Sequence, residues 1–125
     1  IKLYFQQVLH FPEAEAERLG TQFYLDYGLA IKGCIEHFGV DPGGYDAFVD
    51  GGLHLEELLT EMPKGEKELL KRVDARLWVF TNAGRFHAER TLRLLGIMDL
   101  FEGIVHCDYA EPEFPAKPDP AAFRR

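Results

Sequence analysis

A continuous apolar run, Leu77-Trp78-Val79-Phe80, breaks into Thr81-Asn82-Ala83-Gly84 and leads straight into a helical stripe; nothing else restricts the fold so strongly. Four apolar residues in a row, closed by turn-forming residues, are the pattern of a short strand buried on both faces. Ala88, Leu92 and Leu95 then recur at helical spacing until Gly96, a natural helix stop. Gly103-Ile104-Val105-His106 is a second short apolar run. Strand, helix and strand in that order predict a parallel crossover unit. A proline-rich loop follows, with a helix start at Asp119-Pro120.

The first sixty residues have a different period. Ile1 to Leu9 reads as a helix, broken at His10-Phe11-Pro12, and Pro12 opens the next one with Glu13, Glu15 and Glu17 in its first turns. Leu19, Phe23 and Tyr27 share one helical face. Gly28 and Gly33 interrupt that pattern and predict a break, or close packing, near Gly28. Gly39 ends the run, Asp41-Pro42 starts another helix, and Gly51-Gly52 ends it. Short helical segments over 54–59 and 66–72 complete the series. The expected organisation is an all-helical unit over residues 1–60 and a partial α/β unit over 61–125.

Charge follows the same division. Residues 1–60 hold three basic side chains against ten acidic ones, whereas 61–125 hold eleven of each. An acidic first half is unsuited to gripping nucleic acid phosphates. No run approaches the roughly 20 apolar residues that cross a bilayer, so no membrane span is expected. Cys34 and Cys107 are far apart, lack metal-ligand spacing and read as small buried hydrophobes. A reducing cytoplasmic setting, with or without a nuclear share, is expected. Oligomeric state is not encoded in any pattern of the sequence. The chain starts without methionine inside an apolar segment and stops at Phe123-Arg124-Arg125, just after a helix start; it is read as a fragment.

In an open parallel sheet, ligands bind outside the carboxyl ends of the strands. Thr81 and Asn82 stand at such an end, offering a hydroxyl, backbone amides and a helix N-terminus to an anion. The bland alternative is that either residue simply caps the helix starting near Arg85. Lys117, in Ala116-Lys117-Pro118-Asp119-Pro120, precedes a proline and is expected to be extended, with Asp119 capping the helix beyond. Its bland alternative is a solvated loop lysine. Crossover connections bring the carboxyl ends of both strands to one edge, so Thr81 and Lys117 are expected to converge there. A hydroxyl and an ammonium together suit a phosphoryl group, whose charge must be neutralised during transfer.

These segments resemble a known family. Leu77 to Ala83 looks like the second motif of haloacid-dehalogenase-like hydrolases, and Lys117-Pro118-Asp119-Pro120-Ala121-Ala122-Phe123 looks like their third. The preceding helices resemble the small helical cap of these enzymes. More narrowly, Tyr24 to Gly33, Thr91 to Phe101 and Cys107-Asp108-Tyr109 are similar to fungal-type pyrimidine 5′-nucleotidases. The resemblance implies an α/β fold, a partial Rossmann-like parallel-sheet core preceded by an all-helical cap. It implies that Thr81 and the Asn82 amide bind the substrate phosphate and that Lys117 holds phosphate and nucleophile together. The reaction it implies is hydrolysis of a small phosphate monoester, a pyrimidine nucleoside 5′-monophosphate, through an aspartyl-phosphate. A second aspartate would serve as acid and base, and Mg²⁺ would bridge carboxylates and phosphate.

One departure bears on activity. No Asp-x-Asp pair exists in the chain, so the catalytic aspartates and the Mg²⁺ ligands of the family have no counterpart in it. The 125 residues alone are expected to be inactive, poorly folded and without a metal site. Asp108 is expected to orient Lys117 or cap a loop rather than bind metal, and His87 and His106 to pack rather than act as bases. Substrate choice is expected in the cap, where Tyr24, Tyr27 and Lys32 surround the Gly28 break; the alternative places both tyrosines in the cap's own core. A phosphosugar or lysophospholipid phosphatase and a non-catalytic truncated paralogue are the competing functions. A receiver-type signalling domain also places threonine and lysine at strand ends. The helical block, and the lack of an acceptor aspartate at a strand end upstream of Thr81, speak against it.

Overall fold

The computed structural model describes residues 1–111 and 113–124; Pro112 and Arg125 lie outside the described residues. The chain forms two compact units, one of Ile1–Gly52 with Tyr109–Arg124, the other of Leu53–Asp108. Composition alone places a division near residue 60, with everything beyond it in one unit. In the structure the segment from Tyr109 belongs to the helical unit.

The first unit holds α1 (Lys2–Gln7), α2 (Glu13–Tyr27), α3 (Ala30–Phe38), α4 (Pro42–Val49) and a short 3-10 turn at Pro120–Arg124. His10 adopts a positive φ of 58°, which breaks the chain between α1 and α2 where the sequence indicates. Ala16, Leu19 and Phe23 are the buried stripe of α2, and Ala30, Ile31 and Cys34 that of α3. Phe23 meets Phe5 at 6.0 Å and Phe38 at 5.9 Å between ring centroids, while Tyr4 packs on Tyr45 at 4.7 Å. Aromatic pairs at such separations add about 0.5–1.5 kcal/mol each beyond their burial. Asp41 caps α4, its Oδ2 accepting from the Gly44 amide at 2.6 Å, with Pro42 as the first helical residue.

The two glycines that interrupt the α2–α3 pattern serve different ends. Gly28 takes a left-handed φ of 75° and closes α2, its N–H donating to the Tyr24 carbonyl at 2.9 Å. Gly33 stays helical inside α3; a Cβ there would lie 2.6 Å from Phe23 Cδ2, so two helices meet where no side chain fits.

The second unit holds α5 (Leu55–Leu58), α6 (Lys64–Lys71), β1 (Trp78–Gly84), α7 (Arg85–Leu94), a 3-10 turn at Met98–Leu100 and β2 (Gly103–Cys107). β1 and β2 pair in parallel, Trp78 opposite Gly103 and Phe80 opposite Val105, and α7 crosses between them as expected. Among the described residues these are the two strands of the sheet. Ala88 and Leu92 are the buried stripe of α7, and Gly96 follows it with φ 64°. Arg76 Nε donates to Glu102 at 2.6 Å, tying together the residues that lead into the two strands.

Three expectations are corrected. The apolar run is not buried on both faces: Trp78 is 52% exposed and Phe80 is also exposed, because the described sheet carries helix packing on one side of an alternating strand. The strand does not end at Phe80 but runs through Gly84, with a register shift between those residues. At Asp119-Pro120 the described chain forms a 3-10 turn instead of an α-helix, although Asp119 Oδ1 does cap it by accepting from the Ala121 amide at 2.8 Å.

Candidate functional site

The sequence-derived residues fall into both units. Thr81 and Asn82 lie on β1 in the second unit, while Lys117, Tyr24, Tyr27 and Lys32 lie in the first.

Within the second unit, the strand extension delivers Thr81 to within four residues of α7. Its hydroxyl does not cap that helix: the N-cap residue is Gly84, with no side-chain hydrogen bond to the first turn. Thr81 Oγ1 instead accepts from the Ala83 amide at 3.0 Å. A hydroxyl that already accepts one bond keeps its own proton to donate. The α7 first turn holds no acidic residue, so its amides keep the positive end of the helix dipole without an internal counter-charge. This turn can therefore offer a hydroxyl donor and backbone amides to an anion. Asn82 is half-buried within it. Arg85, the first residue of α7, is engaged by Glu89 at 2.7 Å. His87 is half-buried in the first turn, and His106 Nδ1 is 2.9 Å from the Cys107 carbonyl oxygen. Asp108 is half-buried directly after β2.

Within the first unit, Lys117 is half-buried between the buried Ala116 and a cis peptide to Pro118. The Asp119 amide donates to the Ala116 carbonyl at 2.8 Å, closing a tight turn around Lys117. That turn lies against Gly28. A cleft of about 440 Å³ opens beside it, lined by Tyr27, Lys32, Glu36, Phe114, Pro115 and Asp119 among others. Lys117 is not among its lining residues, though Pro115 and Asp119 on either side are.

Tyr27 and Lys32 are thus brought together, and Tyr24 is not with them: it is 61% exposed and lines no part of the cleft. The Tyr27 hydroxyl is 2.8 Å from His37 Nε2, which fixes the ring's orientation at the cleft wall. The Lys32 ammonium stands 6.0 Å from the centroid of the Phe114 ring, at the outer reach of a cation–π contact. Tyr109 in turn packs edge-on against Phe114 at 4.9 Å. Sequence reasoning missed His37 and Phe114. Neither has a periodic or motif signal, since each meets its partner through a fold contact rather than through spacing.

Both cysteines are buried, and burial pushes the Cys34 thiol up to about 11, so it remains protonated and unreactive. Among the described residues no three His, Cys, Asp or Glu side chains converge as metal ligands would. Among the described residues the donor set does not fit a Mg²⁺ site.

The haloacid dehalogenase-like hydrolase family matches residues 5–125. Phosphate metabolism protein 8 of Saccharomyces cerevisiae is 39% identical over 131 residues, a match that covers 96% of this chain and 40% of that protein. The chain thus spans less than half the length of this curated relative. No helix among the described residues is long and apolar enough to cross a membrane.

Proposed function

The chain belongs to the haloacid dehalogenase-like hydrolase family, and from that premise we propose that it is part of a phosphatase acting on small phosphate monoesters, with pyrimidine nucleoside 5′-monophosphates as the preferred class. The observation that carries this reading is the β1–α7 turn. There the Thr81 hydroxyl is organised by Ala83 while its proton stays available, and the α7 N-terminus has no side-chain cap. In this reading Thr81 and the Asn82 amide bind the phosphate. Lys117 is assigned the neutralisation of phosphoryl charge that the family resemblance implies for it. The nucleophilic and acid–base carboxylates, with the Mg²⁺ that the family resemblance implies, are assigned to other parts of the longer protein, since the chain has no Asp-x-Asp pair. The name of the yeast relative, phosphate metabolism protein 8, agrees with phosphate chemistry. A cytoplasmic setting belongs to the same reading, supported by two buried cysteines that are not joined to each other.

The cleft of the helical unit supports the preference for nucleotides. It presents a ring held in place, Tyr27, beside one ammonium and several carboxylates, a combination suited to a flat base and its sugar hydroxyls. The test is a panel of phosphorylated metabolites offered to the full-length protein, alongside Thr81→Ala and Lys117→Ala. Pyrimidine nucleotides should exceed phosphosugars and lysophospholipids by about tenfold or more in kcat/KM, roughly 1.4 kcal/mol of discrimination. Both substitutions should remove most turnover. A panel without hydrolysis, or variants as active as wild type, would refute the assignment.

A further inference from the structure

Two glycines of the helical unit share one backbone state but have opposite surroundings. Gly28 and Gly39 each close a helix with a left-handed φ, 75° and 62°. Around Gly39 a Cβ would meet nothing within 4 Å. At Gly28 a Cβ would stand 3.2 Å from Pro118 Cδ and 3.6 Å from the Lys117 carbonyl oxygen. The α2–α3 break is thus pressed directly onto the peptide that carries Lys117.

We propose that Gly28 is a positioning residue for Lys117: its bare Cα is the surface on which the Lys117–Pro118 turn is seated, and this seating sets where the ammonium stands. The inference rests on the phosphatase reading for its catalytic consequence, though not for the contact itself. The bonds from Asp119 N–H to Ala116 and from Ala122 N–H to Asp119 shape the turn from within. Ala116, at 2% exposure, and Phe114, at 5%, are buried in the segment before it, and Pro118 meets the end of α2 at Gly28. A methyl group at 3.2 Å forces Pro118 to give way by a few tenths of an ångström. Displacement of a group that must meet a transferring phosphoryl costs rate steeply, on the order of a hundredfold per ångström. The same peptide links the helical break, which carries Tyr27, to the lysine, so the unit that selects the substrate also holds a group that acts on it.

The experiment uses the full-length protein with Gly28→Ala, Gly28→Asn and the control Gly39→Ala. Alanine strains the left-handed backbone equally at both sites, whereas asparagine tolerates it and keeps a folded Gly28 variant in hand. Two readouts are taken: kcat and KM on the best phosphate monoester, and the acetylation rate of Lys117 by an acylating reagent, read by peptide mass mapping. Both Gly28 variants should change Lys117 acetylation and lower kcat by about threefold or more, with less effect on KM, while Gly39→Ala changes neither. Lys117 acetylation that is unaltered in both Gly28 variants overturns the proposal whatever the activity. Altered acetylation with wild-type kcat overturns the catalytic role. If wild-type protein hydrolyses none of the substrates, the phosphatase reading fails by itself, and the acetylation rates still decide whether Gly28 seats the lysine.

Discussion

Arg90 on α7 grips Glu56 on α5 through both carboxylate oxygens, Nε donating to Oε1 at 2.9 Å across 34 residues of sequence. The guanidinium hydrogen bonds hold the Glu56 carboxyl down at about 2, well below the usual carboxylate range. A folded-state value below the unfolded one means this contribution to stability is present above about pH 4.5 and fades as pH falls toward 2. Glu56→Gln should therefore flatten the acid limb of stability between pH 4.5 and 2 and leave the neutral limb with a pH-independent loss. Denaturation midpoints across that range are the check; an unchanged acid slope would show that the pair does not couple to folding.

Gly33 and Gly65 both lie in helices, and their surroundings point opposite ways. A Cβ at Gly33 overlaps the Phe23 ring, whereas one at Gly65 meets nothing within 4 Å. Gly33→Ala should cost about 1–3 kcal/mol through overpacking, despite alanine's better helix propensity. Gly65→Ala should stabilise by about 0.4–1 kcal/mol by restricting the unfolded chain. Urea midpoints compared with wild type decide it, and a stabilising Gly33→Ala would mean α2 and α3 do not pack as described.

The Tyr27–His37 bond makes a separable claim about ring and hydroxyl. Tyr27→Phe loses the bond, worth about 1 kcal/mol of stability, but keeps the cleft wall. In the full-length enzyme Tyr27→Phe should stay near wild-type kcat/KM on nucleotides, and Tyr27→Ala should fall well below it. A Tyr27→Ala enzyme with undiminished kcat/KM would remove Tyr27 from substrate recognition and leave it as packing.

Trp78, the single tryptophan, lays its indole over Gly103, where a Cβ would come 2.6 Å from Cη2. Gly103→Ala must push the ring off the strand. Its emission should shift to the red and acrylamide should quench it more readily than in wild type, in which the residue is already half-exposed. Unchanged emission and quenching would show the ring does not rest on Gly103.

Much of the local structure is legible in the sequence because its causes are local. Asp41-Pro42 starts a helix since a carboxylate three residues before a free amide can reach it, and Gly28, Gly39 and Gly96 end helices since each occupies the left-handed region. The crossover order of β1, α7 and β2 follows from a change of period. The candidate site was legible in part. Thr81, Asn82 and Lys117 stand out by type and position, but not the Ala83 bond that organises Thr81, nor the strand extension that leaves α7 capped by Gly84 alone.

The order of helices and strands, their stops, and the family resemblance came from the sequence by itself, because spacing and turn chemistry act over a few residues. Only the tertiary structure decided that Gly33 serves packing while Gly28 seats a distant turn, that Trp78 and Phe80 face solvent, and that Tyr109–Arg124 joins the helical unit. Each of these depends on which surfaces meet, and contacts between residues tens of positions apart leave no mark on local periodicity.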